Sequence, residues 1–423
     1  KGKTLYKSGN LSGGPRVKTV HYVTENAGDY VLEIISGPSE RRNVKYRVTV
    51  KEIRNATEKG RVFATAEKTF AEGELLQSKR NKESFLKAIE KYREAATLFE
   101  SSQSAKRKGQ ALTNLGLAYY SLGQTQKSLD SFKEVLEIAK SAKDRNTEAK
   151  ILNNVGSIYN RMGDFTNAIE HFSQSLKIVK ELNIVQGEAA ISGNLASIYK
   201  LTGEFETALD YANRALALHR KTNQKGNEAN ALNTIGTIYD DMGEPQKALS
   251  YFNESLKTFQ EVNQIRKQAV ALNNIGAAYS KLGNKPRALD IYLKVLTLVR
   301  ESGNKVGEAR TLSNIGSIYT SFGDSKKSLE YLSQALALSR QTKERLGESV
   351  TLTTIGLAHQ ELGDSDKSLE FLQKALVIAQ EIYAKQQQVV ILNHLGKLFT
   401  SLNFKEKSLD SFNRSLAISE AIG

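Results

Sequence analysis

The chain has 423 residues and a mass of 46.8 kDa, with 39% hydrophobic and 25% charged residues, enough for several compact domains or one repeat array. It contains no cysteine, which excludes disulfides, thiolate nucleophiles and cysteine metal sites together. The net charge of +14 sits mainly in residues 1–110, with 23 Lys and Arg against 13 Asp and Glu; residues 111–423 carry 37 against 33, without the basic, aromatic-interleaved stripe of a nucleic-acid binder.

Nowhere do about 18 apolar residues run together, so no membrane span is expected. The five histidines, His21, His171, His219, His359 and His394, lie far apart in sequence and give no metal or acid–base cluster. No catalytic residue, metal ligand or cofactor site is therefore expected. The chain opens at Lys1 without a methionine and without a charged-then-apolar signal segment. It reads as a fragment or processed chain, which leaves the compartment open.

Residues 1–54 read as β structure. The runs Arg16–Val23, Asp29–Ser36 and Val44–Ile53 are rich in Val, Ile and Tyr. The last alternates Val44, Tyr46, Val48 and Val50 against Lys45, Arg47, Thr49 and Lys51, as in a half-exposed antiparallel sheet. Turn chemistry at Glu25–Gly28 and Gly37–Ser39 separates the runs. The expectation is a partial β-sandwich, too small for an ample core of its own. Gly2-Lys3-Thr4 resembles the end of a phosphate-binding loop, but the upstream glycine and strand that such a loop needs are missing.

Residues 55–105 are expected to form a linker and an irregular capping helix pair. Ala88, Ile89, Tyr92 and Ala95 lie in phase with Ser128, Leu129, Phe132 and Val135 downstream, while Gly73 is out of step. The pair is placed at about 62–102.

Residues 106–421 are an array of eight 40-residue units. One glycine column runs Gly116, Gly156, Gly236, Gly276, Gly316, Gly356 and Gly396, with Ala196 in the gap. A second follows seven residues later, from Gly123 to Gly363, closed by Asn403. Three residues after the first column stand Tyr119, Tyr159, Tyr199, Tyr239, Tyr279 and Tyr319, then His359 and Phe399. A small residue follows at Ser128, Ala168, Ala208, Ala248, Ala288, Ser328, Ser368 and Ser408. Leu272, Ile275, Gly276 and Tyr279 form one helical stripe, and Ala288, Leu289, Tyr292, Val295, Leu296 and Val299 another. The second glycine ends the first helix through the left-handed conformation that glycine accepts. Each unit should thus be a helix hairpin, about 267–281 and 284–301 in one case, with Gly276 and Ala288 small where the helices approach. Such hairpins bury their faces only against neighbours, as in an α-solenoid. The fold class expected is mainly α.

The order Leu-x-x-Ile-Gly-x-x-Tyr, Gly-Asp/Asn, Ala-Leu-x-x-Phe/Tyr resembles the tetratricopeptide repeat, in the long 40-residue form seen in kinesin light chains and bacterial signalling proteins. The join Asn55-Ala56-Thr57, Ala66–Gly73 and Ala88–Tyr92 resembles that of bacterial proteins in which a pre-peptidase-like β module and tetratricopeptide arrays precede a CHAT protease-like domain. That domain needs a His/Cys pair, so the resemblance implies an effector domain beyond Gly423 and either a cytoplasmic or an extracytoplasmic bacterial location.

The tyrosine column is expected to be core packing, with His359 a packed substitute. The asparagines admit two readings. Asn114, Asn154, Asn194, Asn274 and Asn314 recur two residues before the first glycine, and Asn153, Asn233, Asn273 and Asn393 one position earlier. The resemblance implies that first helices line a concave groove, where amides grip an extended peptide backbone by both donating and accepting. The alternative is that they stitch neighbouring helices together. The Lys and Asn pair that clamps a C-terminal carboxylate in some tetratricopeptide domains is missing, and Arg161, Lys200, Asp240 and Asp241 leave the groove polar and near neutral. The expected function is a non-enzymatic scaffold binding a peptide or partner protein. The alternative is a regulatory arm of a CHAT-type protease, or of a two-component or helix-turn-helix regulator.

Overall fold

A computed structural model describes residues 57–420, so the strands expected within residues 1–54 lie outside the described residues. Every regular element among the described residues is an α-helix. The described residues divide into two compact units, one up to Ile184 and one from Val185. The first holds α1 (Glu58–Ser78), α2 (Lys82–Ser101), α3 (Ala105–Ser121), α4 (Thr125–Ser141), α5 (Arg145–Met162) and α6 (Phe165–Glu181). The second begins with α7 (Val185–Leu201), α8 (Phe205–Lys221), α9 (Lys225–Asp241), α10 (Pro245–Glu261), α11 (Ile265–Lys281) and α12 (Lys285–Glu301). It continues with α13 (Lys305–Ser321), α14 (Ser325–Gln341), α15 (Arg345–Glu361), α16 (Ser365–Glu381), α17 (Lys385–Ser401) and α18 (Lys405–Glu420). Within each unit an odd-numbered helix pairs with the even-numbered helix after it, and each such hairpin packs on the next.

The turns follow from local chemistry. In α11 the last turn closes with Gly283 N–H donating to the Ser280 carbonyl (3.0 Å) and Asn284 N–H to that of Tyr279 (2.9 Å). This is the Schellman pattern, and it holds Gly283 at φ 78°, where a Cβ would be strained. The next helix starts at once, because the Asn284 side chain accepts from Arg287 N–H and Pro286 sits in the first turn. A second left-handed position, between hairpins, was not expected. Gln103, Lys143, Asn183, Asn223, Asn263, Gly303, Lys343 and Tyr383 all have φ between 52° and 62°. Seven of these eight are not glycine, so the column carries no glycine signal in sequence.

Inside each hairpin the first-column glycine faces a large residue sixteen positions later. A Cβ on Gly276 would lie 2.6 Å from the Tyr292 ring, and one on Gly236 2.6 Å from Phe252. Gly116 meets Phe132, Gly156 meets Phe172 and Gly396 meets Phe412 in the same way, while Gly316 and Gly356 meet Leu332 and Leu372. The unit with Ala196 has Ala212 opposite, so a methyl appears on one helix where a ring is lost from the other. Gly73 makes the same contact with Tyr92, nineteen residues on, so its offset in sequence conceals an equivalent role. The small-residue column is buried throughout, and where it is serine the hydroxyl can donate to the glycine carbonyl, as Ser128 does to Gly116 (2.7 Å).

The tyrosine column packs against the core as expected, but most of it is not fully buried. Tyr119 and Phe399 are buried, but Tyr159, Tyr199, Tyr239, Tyr279, Tyr319 and His359 are half-buried. Their rings stack on a second-helix residue twelve positions later: Tyr199 on Tyr211, Tyr239 on Tyr251, Tyr319 on Tyr331 and His359 on Phe371, at 5.4–5.6 Å. A cation covers several of the same rings, among them Arg287 over Tyr279 (4.5 Å) and Lys327 over Tyr319 (5.3 Å). The fully buried columns are instead those beside the glycine, such as Ile235 with Ile238 and Ile315 with Ile318.

Candidate functional site

In the second unit the first helices of successive hairpins touch one another, α7 with α9 through to α15 with α17. Asn194, Asn233, Asn273, Asn274, Asn314 and Asn393 lie on this line, Asn114, Asn153 and Asn154 lie on first helices of the first unit, and all nine are partly exposed. Asn274 Nδ2 donates to Asn233 Oδ1 (2.9 Å), and Asn314 Nδ2 to Asn273 Oδ1 (3.4 Å). Asn273 also donates to the Ala269 carbonyl (3.1 Å) and to Thr311 Oγ1 (3.4 Å). Each bonded pair is one residue out of the 40-residue period, so one column of a hairpin meets the other column of the hairpin before it. Asn153 and Asn194 have partners as well. In the first unit Asn114 hydrogen-bonds the Tyr92 phenol, whose pKa burial pushes up and whose hydroxyl donates to Gln77. An amide has two donors and an accepting oxygen, so the Asn274 bond to Asn233 leaves further capacity on both residues.

Charged groups at the C-terminal ends of the first helices neutralise one another with the same offset. Lys200 pairs with Asp241 (3.1 Å) and Lys281 with Asp240 (2.9 Å). In the first unit Arg161 donates to the Tyr120 carbonyl (2.8 Å) and lies over its ring (4.8 Å). The groups expected to be scattered along the groove therefore have partners across hairpins.

One column escaped the sequence reading. Glu148, Glu188, Glu228, Glu308 and Glu348 stand eight residues before the first-column position, and the last three are buried. Glu308 takes Arg300 (2.8 Å) from the preceding helix and Lys305 (2.9 Å) from its own first turn; Arg220 and Lys225 serve Glu228 likewise, and Arg340 and Arg345 serve Glu348. Burial works to raise these carboxyl pKa values, but hydrogen bonds and charge from the two cations outweigh it and hold all three below the ordinary carboxylate value. Where the column is glutamine, Gln268 and Gln388 donate to the Phe259 (3.2 Å) and Ala379 (3.0 Å) carbonyls of the preceding helix. The repeated Glu or Gln was the available signal.

A cavity of about 310 Å³ opens among α7, α8 and α9, lined in part by Ala190, Gly193, Ala212, His219, Asn230 and Thr234. The signal that would have found it is a break in the repeat, since small residues at 190, 193 and 212 stand where other units have larger ones. No group of three or more His, Cys, Asp or Glu side chains among the described residues is placed to hold a metal ion. No described helix is long and apolar enough to cross a membrane.

Against known proteins, the family model described as MalT-like TPR region matches residues 79–381, and a tetratricopeptide-repeat model matches residues 348–421. These matches bear out the resemblance drawn from the glycine, tyrosine and small-residue columns. No curated protein matches the chain. Among solved structures, it is similar to aspartyl phosphate phosphatase F from Bacillus subtilis at 15% identity and TM-score 0.59, covering 87% of this chain and 96% of that one. It is similar to the Rap conjugation gene regulator of plasmid pLS20 in complex with the Phr* peptide, at 14% identity, TM-score 0.57 and coverage of 83% and 95%. It also resembles a signal-transduction ATPase with numerous domains and a tetratricopeptide repeat sensor, from Pyrococcus horikoshii, at 14% identity and TM-score 0.54, covering 84% of this chain and 53% of that one.

Proposed function

The chain belongs to the MalT-like tetratricopeptide-repeat family, and from that premise we propose that it is a protein-interaction scaffold holding an extended peptide or partner segment along its first helices. The observation that carries this is the double asparagine column on partly exposed first-helix positions, flanked by charges already neutralised at Lys200–Asp241 and Lys281–Asp240. A neutral surface with regularly spaced donors and acceptors suits a peptide backbone, which offers both at regular intervals, better than it suits a charged ligand. The fold is compatible with such a ligand, because the similar pLS20 regulator is a complex with a peptide. Asn194, Asn233, Asn273, Asn274, Asn314 and Asn393 are the proposed contacts in the second unit and Asn114, Asn153 and Asn154 those in the first, and recognition would spread over several hairpins of a unit, since a standard interface needs roughly 800 Å² per partner.

The test uses a peptide recovered from a displayed random library. Asn274→Ala with Asn314→Ala should weaken its binding by about ten- to hundredfold, or roughly 1–3 kcal/mol, through lost backbone hydrogen bonds. The same change removes the bonds to Asn233 and Asn273, so the melting temperature should fall slightly while the array stays folded. Lys294, exposed on α12 and paired with Asp290, is the control. Lower stability at full affinity would leave the asparagines as stitching alone.

A second reading makes the array the sensing arm of a larger regulator, whether of CHAT-type, two-component or helix-turn-helix class. The likeness to a multidomain ATPase whose tetratricopeptide repeat is its sensor supports it. Reading the gene beyond the codon for Gly423 tests it, because a protease-like, kinase or DNA-binding domain would have to follow there.

A further inference from the structure

Beyond the neutral stretch that holds the asparagines, toward their own starts, the first helices of the second unit change character. Val270, Val306, Leu346, Val350 and Val390 stand on α11, α13, α15 and α17, which touch in that order, and all five are 38–46% exposed. Steps of four residues keep them on the asparagine face: Val270 leads to Asn274, Val390 to His394, and Val306 through Arg310 to Asn314. The matching positions on α7 and α9 are Gln186, Ala190, Gly226 and Asn230, so within this unit the apolar strip begins at α11. Nothing inside the helices favours it. Valine is β-branched and suits an exposed helix position less well than Lys, Gln or Glu. Exposed apolar residues gathered on neighbouring helices, unlike scattered ones, mark a contact surface.

The arginines of the same unit say what covers it. There are nine from Val185 onward. Arg214, Arg220, Arg300, Arg340, Arg345 and Arg414 each pair with a carboxylate, and Arg287 lies over the Tyr279 ring. Arg266 and Arg310 have neither an ion pair nor a ring contact among the described residues. Both are exposed on the strip itself, Arg266 four residues before Val270 and Arg310 four after Val306.

We propose that this strip selects the ligand of the peptide-binding face, and that the ligand is an extended segment carrying Glu or Asp among apolar residues. The proposal rests on the peptide-binding reading above. The segment's carboxylates pair with Arg266 and Arg310, its apolar side chains cover the valines, and its backbone runs along the asparagines. A guanidinium matches a carboxylate through parallel N–H donors, and apolar cover that excludes water strengthens such a pair. A purely acidic ligand would leave the valines wet, and a purely apolar one would strand two charges.

A displayed random peptide library is selected against the full chain, and the strongest peptide is synthesised. Selected peptides should be enriched together in Glu or Asp and in Leu, Ile, Val or Phe. Arg266→Gln with Arg310→Gln should weaken the synthetic peptide about tenfold, and Val306→Ser with Val350→Ser about five- to tenfold. All four positions are exposed, so both variants should keep the helical spectrum and the melting temperature. Arg266→Glu with Arg310→Glu should reverse the preference, taking a peptide whose acids are replaced by Lys over the original. Selected peptides without acids, full affinity in the glutamine or the serine variant, no reversal, or equally tight binding of oligoaspartate or a single-stranded oligonucleotide would overturn the proposal. Asn274→Ala with Asn314→Ala should weaken the original peptide and its Glu-to-Gln version alike, whereas the arginine variant should weaken only the original. Loss with the asparagine pair but not with the arginine pair therefore sinks this inference and leaves the groove standing, while recovery of no peptide sinks both.

Discussion

Replacing Gly236 by alanine should destabilise the second unit even though alanine is the better helix former. The new Cβ would sit 2.6 Å from two carbons of the Phe252 ring, closer than real Cβ contacts come, and that ring is 1% exposed. Overpacking of this kind costs about 1–3 kcal/mol, while the gain in helix propensity returns about 1 kcal/mol. The expected net loss is about 0–2 kcal/mol. Phe252→Ala alone empties a closed site and should cost roughly 3–5 kcal/mol. The two together should cost about 1–2 kcal/mol less than their sum, because the methyl then occupies space the ring has left, as Ala196 and Ala212 already do in the same chain. Urea unfolding followed by circular dichroism supplies the free energies. Hydrogen exchange shows whether the damage stays near residues 225–260, as nearest-neighbour coupling requires. A stabilising Gly236→Ala, or a strictly additive pair, would refute the argument that glycine is held there by the facing ring.

The buried glutamates should be more sensitive to loss of their cations than to loss of their own charge. Arg300→Ala with Lys305→Ala strands a carboxylate whose side chain is 8% exposed and should cost roughly 2–4 kcal/mol, whereas Glu308→Gln should cost about 1 kcal/mol or less, since Gln268 and Gln388 occupy that position natively; chemical denaturation gives the order. Stability should fall with acid in two stages. His219 and His394 are held below the ordinary histidine value, His219 mainly by burial and His394 by burial and Lys397, so the unfolded chain binds their protons first and stability declines as pH drops below about 6.5. Glu228, Glu308 and Glu348 have depressed folded pKa values, so what they contribute is complete above about 4.5 and is lost as pH falls through those values; a melting-temperature profile that rises on acidification would contradict both stages. At the left-handed position of Lys343, with φ 56°, glycine should stabilise by about 0.5–1 kcal/mol, and valine should destabilise by more, in thermal melts.

The sequence by itself determined the repeat length, the hairpin unit and the turns within it, because these depend on contacts local in the chain. A 3.6-residue stripe fixes the face a helix buries, and Gly283 followed by Asn284 and Pro286 fixes where one helix ends and the next begins. The small columns were legible because a close helix approach admits few residue types. Their cause was not, since the ring that Gly276 faces lies sixteen residues away on another helix. The same holds for the tyrosines, whose spacing put them on the apolar stripe while stacking on the next helix leaves most of them half-buried. Only the tertiary structure could show that Asn274 meets Asn233, that Glu308 sits between Arg300 and Lys305, or that departures at 190, 193 and 212 surround one cavity. Periodicity reports which residues share a face, but hydrogen bonding and cavity shape depend on how neighbouring hairpins are set against each other, and that offset is decided by packing.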